Sequence, residues 1–398
     1  MANIIKKKIL FIHHASGWGG APNSMISLID HLNKDNFEIK VLLLKNSVVA
    51  DLLKQHDINF EIINSIFYKK YYKYFTHSEA DYLKWHQIFK FFKHSFLWVL
   101  SRYYFAKREL KKQNFDLVHL NSSVLTDWLA PAHELGKTII HIREPFRKGK
   151  IDLLHLFFKR QMRKYADHVI AISQDNATRV HLLDKTSIVY NNININTSDI
   201  LDDSYASKKV LYLGGESKIK GFVTIADALD YLDKDVIILF AGDYSSFDVS
   251  GSLLKKIKQK IKILLKVKYY KRLKKIHNHP NAFFIGLTYD VDKYLSEVCC
   301  LVSPFSYPHF SRPIIESYLH KKTVIATDVH GMEEIIKENI TGVIVQRKNP
   351  MALATAINNL SRTPELAKKM GEAGYIFAKD KLNSYNYKKI ESIYNFLK

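Results

Sequence analysis

Directly after the apolar run ILFI, the stretch HHASGWGGAPNSM sets Gly17, Gly19 and Gly20 ahead of a helix pattern. Glycines at a strand-to-helix turn let backbone N–H groups approach an anion at the helix start. A plain tight turn is the other reading of the same residues. The spacing is not G-x-G-x-x-G, and the next strand, VLLLK, closes without an acidic residue, which excludes a dinucleotide fingerprint. A second loop, YLGGESKIKGF, carries Gly214, Gly215, Lys218, Lys220 and Gly221. Lysines beside a helix start suit a diphosphate. In a third stretch, LVSPFSYPHFSRPIIESYLH, a strand runs into a loop holding His309, Ser311 and Arg312. A helix then opens at Pro313, where proline is favoured, with Glu316 in its first turn. Glu316 there either serves a ligand or simply complements the helix dipole. The loop after TIIHI offers His141, Arg143 and Glu144; a buried, hydrogen-bonded histidine is the other reading of His141.

These loops need elements to position them, and the chain supplies two alternating series. ILFIHH, FEIKVLLL, FEII, DLVHL, TIIHI, HVIAIS and IVYNN read as short buried strands, with amphipathic runs such as SMISLIDHL and LLHLFFKRQMRKYA between them. That alternation predicts crossover units and a parallel sheet covered on both faces. It stops in the polar stretch NINTSDILDDSYASKK and restarts through KVLYLGG, VIILFAGD, AFFIG, CCLVSPF, TVIATD and GVIV. The expected fold class is therefore α/β, with two Rossmann-like domains facing across a cleft. Their expected spans are residues 1–197 and 198–375, and residues 376–398 form a last helix that crosses back to the first domain. In such sheets ligands sit beyond the strand C-terminal ends.

Composition bounds the partners. Of the 398 residues, 60 are Lys or Arg and 39 Asp or Glu, a net charge of +21. The excess is concentrated. Residues 66–112 carry 11 Lys/Arg against 3 Asp/Glu, together with 16 aromatic rings, and residues 251–275 carry 11 Lys/Arg and no acid. Cations interleaved with rings suit an anionic membrane surface or single-stranded nucleic acid; buried rings and a solvated lysine helix are the plain alternatives. Two adjacent cysteines, Cys299 and Cys300, exclude a disulfide framework and suit a reducing compartment. No apolar run approaches the ~18 residues of a membrane span, and the N-terminus lacks a signal-peptide pattern. The expected location is cytoplasmic.

The third stretch and its continuation, VIATDVHGMEEIIKENITGVIV, together resemble the donor-binding signature of retaining GT-B glycosyltransferases, specifically glycosyltransferase family 4. Further matches run in order along the chain: Gly19–Gly20, ADHVIAIS with the later Asn191, Lys220–Gly221, NAFFIG, Pro304, Glu316, Gly331 with Glu334, and Gly342. Three positions depart from the pattern. Pro308 stands where the family has the first of two glutamates eight positions apart, Gly215 where it often has an arginine, and Cys299 where an aspartate is usual.

The resemblance implies a GT-B fold and a sugar-nucleotide donor substrate, a UDP-sugar first, with no separate cofactor. It implies His141, Lys220 and Glu316 as catalytic residues. Donor contacts would come from Gly19, Gly20, Gly215, Lys218, Lys220, His309, Phe310, Ser311, Arg312, Ile314 and Glu316, and acceptor contacts from Arg143 and Glu144. No Asp-x-Asp pair sits in a suitable loop, since Asp202–Asp203 falls in the linker, so no metal is expected. The implied activity is hexosyl transfer with retention to a lipid-linked or envelope-glycan acceptor at the cytoplasmic face of an anionic membrane, with the protein peripherally bound. The alternatives are an inactive relative serving as a scaffold, prompted by Pro308, and a basic nucleic-acid binder. The latter is disfavoured because neither basic segment resembles a recognition module.

Overall fold

The computed structural model describes residues 6–14, 17, 19–75, 78, 87–147, 152–191, 202–244, 267–288, 290–381 and 385–397. The chain divides into two compact units, Met1–Asn194 with Leu382–Lys398, and Ile195–Lys381.

In the first unit, strands and helices follow one another as the alternating pattern requires. In chain order they are β1 (Lys7–His13), α1 (Gly20–His31), β2 (Phe37–Leu43), α2 (Val48–Gln55), β3 (Phe60–Ile62), α3 (Ile88–Leu100), α4 (Ala106–Leu110), β4 (Leu117–Leu120), α5 (Thr126–His133), β5 (Lys137–Ile142), α6 (Leu153–Tyr165), β6 (His168–Ala171), α7 (Gln174–Val180) and β7 (Thr186–Ile188). The strands form one parallel sheet in the order β3-β2-β1-β4-β5-β6-β7. Side chains alternate between its faces with period two. Leu10, Ile12, Val118, Leu120 and Ile140 feed one core, and Ile9, Phe11, Leu117, Ile139 and Ile170 the other. Both faces being apolar, the strands read as continuous hydrophobic runs.

The second unit repeats the design with β8 (Lys209–Tyr212), α8 (Phe222–Ala228), β9 (Ile237–Ala241), α9 (Val267–His277), β10 (Ala282–Gly286), α10 (Val291–Glu297), β11 (Cys300–Ser303), α11 (Arg312–Leu319), β12 (Thr323–Thr327), β13 (Gly342–Val345), α12 (Pro350–Arg362) and α13 (Pro364–Lys381). Its parallel sheet has the order β10-β9-β8-β11-β12-β13. The two sheets are the Rossmann-like pair expected from the sequence.

The segment read as a last helix over 376–398 divides in two. Residues 376–381 complete α13 in the second unit, and α14 (Tyr385–Phe396) belongs to the first. There Tyr387, Ile390 and Tyr394 enter the core with Ile9 and Phe37. Lys7 Nζ donates to the Tyr394 carbonyl at 2.6 Å, and the Tyr394 hydroxyl meets His119 Nδ1 at 2.7 Å in a fully buried pair. Tyr394→Phe leaves that ring nitrogen without its partner, so the fold should lose about 1–2 kcal/mol. An unchanged midpoint in urea unfolding would contradict the assignment.

The aromatic segment 66–112 is not wholly a surface feature. Phe67, Tyr68, Tyr72, Phe75 and Trp98 are core residues, whereas Phe89, Phe92, Phe96 and Tyr103 stand exposed. The core rings are anchored by polar bonds: Tyr72 donates to Asp127 at 2.9 Å and Trp98 Nε1 to the Thr126 hydroxyl at 3.1 Å. Of the lysine-rich 251–275 segment, residues 251–266 lie outside the described residues, and the remainder falls in α9. Among the described residues no helix is long and apolar enough to cross a membrane.

Candidate active site

Each sheet has one place where the winding direction reverses: between β1 and β4 in the first unit, and between β8 and β11 in the second. Loops leaving the C-terminal ends of such neighbouring strands diverge and leave a crevice for a ligand. All the loops singled out from the sequence leave strands at or next to these points.

In the second unit, β8 runs into the loop 213–221 and β11 into 304–311. Backbone demands explain the glycines. Gly215 has φ +52° and Gly221 φ +86°, both in the left-handed region. A Cβ on Gly221 would stand 1.8 Å from the Pro304 carbonyl oxygen, so only glycine lets the two loops meet. The Ser306 N–H donates to the Ile219 carbonyl at 2.9 Å, tying the same loops together. This contact brings Lys220 beside His309. His309 stacks on Phe305 at 4.1 Å, and its N–H donates to the His330 carbonyl at 3.1 Å. Burial, helped by the Lys220 ammonium, lowers the His309 pKa to about 4, so the ring is neutral near pH 7. Lys220 is exposed by area, yet its surroundings desolvate the ammonium enough to lower its pKa as well. A lysine whose charged form is disfavoured, beside a neutral imidazole, is a site that gains from an anion. Lys218 is exposed and lies 5.7 Å from the Tyr269 ring, whose hydroxyl donates to Glu216 at 2.6 Å.

Ser311 precedes α11, but its hydroxyl pairs with Ser303 at 3.2 Å and does not cap the helix. The Ser311 side chain thus makes no cap bond to the first turn. Phe310 and Ile314 are buried, so they present backbone at this edge, not side chains. Glu316 is not in the first turn of α11 as its spacing from Pro313 predicted. The helix begins one residue earlier, at Arg312, and Glu316 is its fifth residue. Its carboxylate accepts from Arg312 Nε at 2.7 Å, one turn back, both side chains being partly exposed. Arg312 therefore orients Glu316.

In the first unit, Gly19 and Gly20 open α1, and a Cβ on either would meet open space, so neither is required by local packing. His141, Arg143 and Glu144 stand at the end of β5. Arg143 donates to Asn121 at 2.7 Å and to Asn191 at 2.9 Å. Asn121 in turn bonds His13 at 3.0 Å. Glu144 accepts from the hydroxyls of Ser122 at 2.7 Å and Ser123 at 2.9 Å. His141 Nδ1 lies 3.1 Å from His119 Nε2, extending the chain of contacts to Tyr394. A cavity of ≈ 10 Å³, about the size of one water, adjoins His141 and Arg143 under α1 and α14.

Sequence reading missed His13, His14 and Asn121 here. The first two were in view as the end of β1, immediately before the glycines, and that position was the available signal. His13 Nε2, His14 Nδ1 and His141 Nε2 are buried with no hydrogen-bond partner among the described residues. Unpaired buried atoms cost about 1–3 kcal/mol each, so each is expected to meet an ordered water or a ligand, or to serve the chemistry. Burial holds His13, His119 and His141 neutral, well below the usual imidazole range, and takes His14 to about 4.

Two family models partition the chain as its units do. Residues 18–197 match Glycosyltransferase Family 4, and residues 202–377 match Glycosyl transferases group 1. It is a family 4-like glycosyltransferase. A glycosyltransferase of Methanocaldococcus jannaschii is 25% identical to it over 71% of this chain and 76% of its own. The transferase shares its GT-B fold with HepE of Anabaena, solved with UDP and glucose, at a TM-score of 0.75 and 18% identity, covering 98% and 99% of the two chains. TarM of S. aureus, solved in complex with UDP, aligns at a TM-score of 0.71 and 14% identity over 98% and 100%. The sequence-selected residues of this glycosyltransferase thus form two groups: Gly19, Gly20, His141, Arg143 and Glu144 on one unit, and Gly215, Lys218, Lys220, His309–Arg312, Ile314 and Glu316 on the other.

Proposed function

We propose that this glycosyltransferase moves a hexosyl group from a UDP-sugar, with retention, to a lipid-linked or envelope-glycan acceptor at the cytoplasmic face of an anionic membrane. The observation that carries this reading is the Gly221–Pro304 approach, which sets Lys220 beside His309 at the second sheet's switch point. The donor diphosphate lies there against Lys220, with Lys218 nearby and the start of α11 beside it. Glu316, oriented by Arg312, accepts from the nucleotide ribose. The UDP bound by HepE and TarM supports uracil as the base.

The reaction needs no protein nucleophile. As the C1–O bond to the diphosphate breaks, Lys220 offsets the charge growing on the leaving oxygen. That oxygen takes the acceptor hydroxyl's proton, and the acceptor oxygen bonds C1 on the face just vacated. Atoms and charge balance, and the anomeric configuration is retained. His141 positions the sugar and Arg143 meets an acceptor phosphate.

Incubation of the pure protein with UDP-, GDP- and dTDP-sugars and lipid-diphosphate acceptors tests this. The α- or β-configuration of donor and product, read by NMR, should be the same. An inverted product would remove the mechanism. Tight UDP-sugar binding without turnover on any acceptor would favour the inactive scaffold.

A further inference from the structure

We propose that the outer face of α3, with the exposed start of α6, is a membrane-insertion surface that seats the protein on an anionic bilayer. It deepens the membrane-face part of the proposed function and rests on that reading. Phe89, Phe92, Phe96 and Val99 recur at spacings of three and four, so they line one side of α3. All are exposed, Phe89 at 87%, Phe92 at 61% and Phe96 at 63%. Folding alone does not require rings there, because the opposite side already makes the core contacts. Phe91 meets Phe75 at 5.6 Å, and Trp98 meets Phe157 of α6 at 5.3 Å. Just beyond α3, Arg102 donates to Gln161 at 2.7 Å and lies 4.8 Å from the Tyr165 ring, fixing the two helices side by side. On α6, Leu153 and Leu156 are also exposed, at 75% and 57%.

Charge selects the occupant. Helices α3 and α6 hold six Lys/Arg and no Asp or Glu, and Lys90, Lys93, Arg160 and Lys164 are exposed. A second copy of the chain docking through this face would set like charges together. An anionic lipid surface complements them and accepts aromatic rings at its headgroup level. Basic character alone would give salt-sensitive adsorption; exposed phenylalanines add an apolar component that salt does not screen.

Co-sedimentation of the whole chain with vesicles of phosphatidylcholine, with and without phosphatidylglycerol, tests this. The wild type should bind the mixed vesicles and keep part of that binding in high salt. The combined Phe89→Ser, Phe92→Ser and Phe96→Ser variant should bind about 100-fold more weakly, at unchanged thermal stability, since all three rings are exposed. Lys90→Glu with Lys93→Glu should abolish the preference for anionic over neutral vesicles. Equal vesicle binding by wild type and the serine variant would overturn the proposal. So would a wild-type dimer whose self-association, not vesicle binding, is lost in that variant. Turnover of a lipid-diphosphate acceptor in detergent separates this from the transfer reaction. Turnover with unaltered vesicle binding defeats only the docking surface, and lost vesicle binding without any turnover defeats only the transfer.

Discussion

Lys220→Ala is expected to lower turnover about 100- to 1,000-fold, the usual effect of removing one preorganised electrostatic stabiliser. Two features make Lys220 the residue to change. Its surroundings lower its pKa, so its charged form gains from a diphosphate placed beside it. Its neighbour His309 is neutral, so it neither competes for the lysine nor repels it. The loss should fall mainly on kcat, because charge on the leaving oxygen grows in the transition state. Lys220→Arg should restore part of it. Lys218→Ala should cost less, since Lys218 is exposed and already beside the Tyr269 ring. Initial rates over a range of donor concentrations decide the matter. A Lys220→Ala enzyme with wild-type kcat would remove the lysine from the chemistry. Its thermal stability should not change.

The second large effect concerns acid. The first unit keeps His13, His14, His119 and His141 neutral by burial. Unfolded, each takes a proton near its ordinary pKa of about 6.5. The unfolded chain therefore binds more protons below that pH, and stability present above 6.5 is lost as the pH falls towards 4. Asp127 acts in the opposite sense. Burial raises it to about 7, so between its ordinary value and 7 the folded state binds its proton, and lower pH favours folding. Four histidines against one carboxyl leave a net loss on the order of 3 kcal/mol between about pH 6.5 and 5.5, or roughly 6–12 °C in Tm. Circular dichroism melts across that range measure it. A flat Tm would mean that the histidines are protonated in the folded chain.

Much of this was legible beforehand because parallel sheets buried on both faces write themselves as apolar runs. The strands from ILFI to GVIV, and the loops that succeed them, were placed from that pattern and from glycine and proline chemistry. Gly221 could be flagged from its sequence, but its reason, the Pro304 carbonyl, lies far along the chain. Distance in sequence hid the rest. His119 meets Tyr394 from 275 residues away in sequence, and His13 is tied to Arg143 through Asn121. The aromatic segment was recognised as a block, yet only the helical phase of α3 separates Trp98, buried, from Phe96, exposed. Glu316 sits one residue further into its helix than its spacing from Pro313 predicts, because Arg312 begins α11.

The return of α14 to the first unit has a consequence during synthesis. Residues up to Asn194 leave the ribosome first, but part of their core is supplied by Tyr387, Ile390 and Tyr394, which are made after the whole second unit. Until then, Ile9 and Phe37 lack part of their cover and the nascent first unit has an incomplete core. A chain cut off before this helix would carry both sheets yet leave apolar surface open. Such open apolar surface would make the shortened chain prone to association.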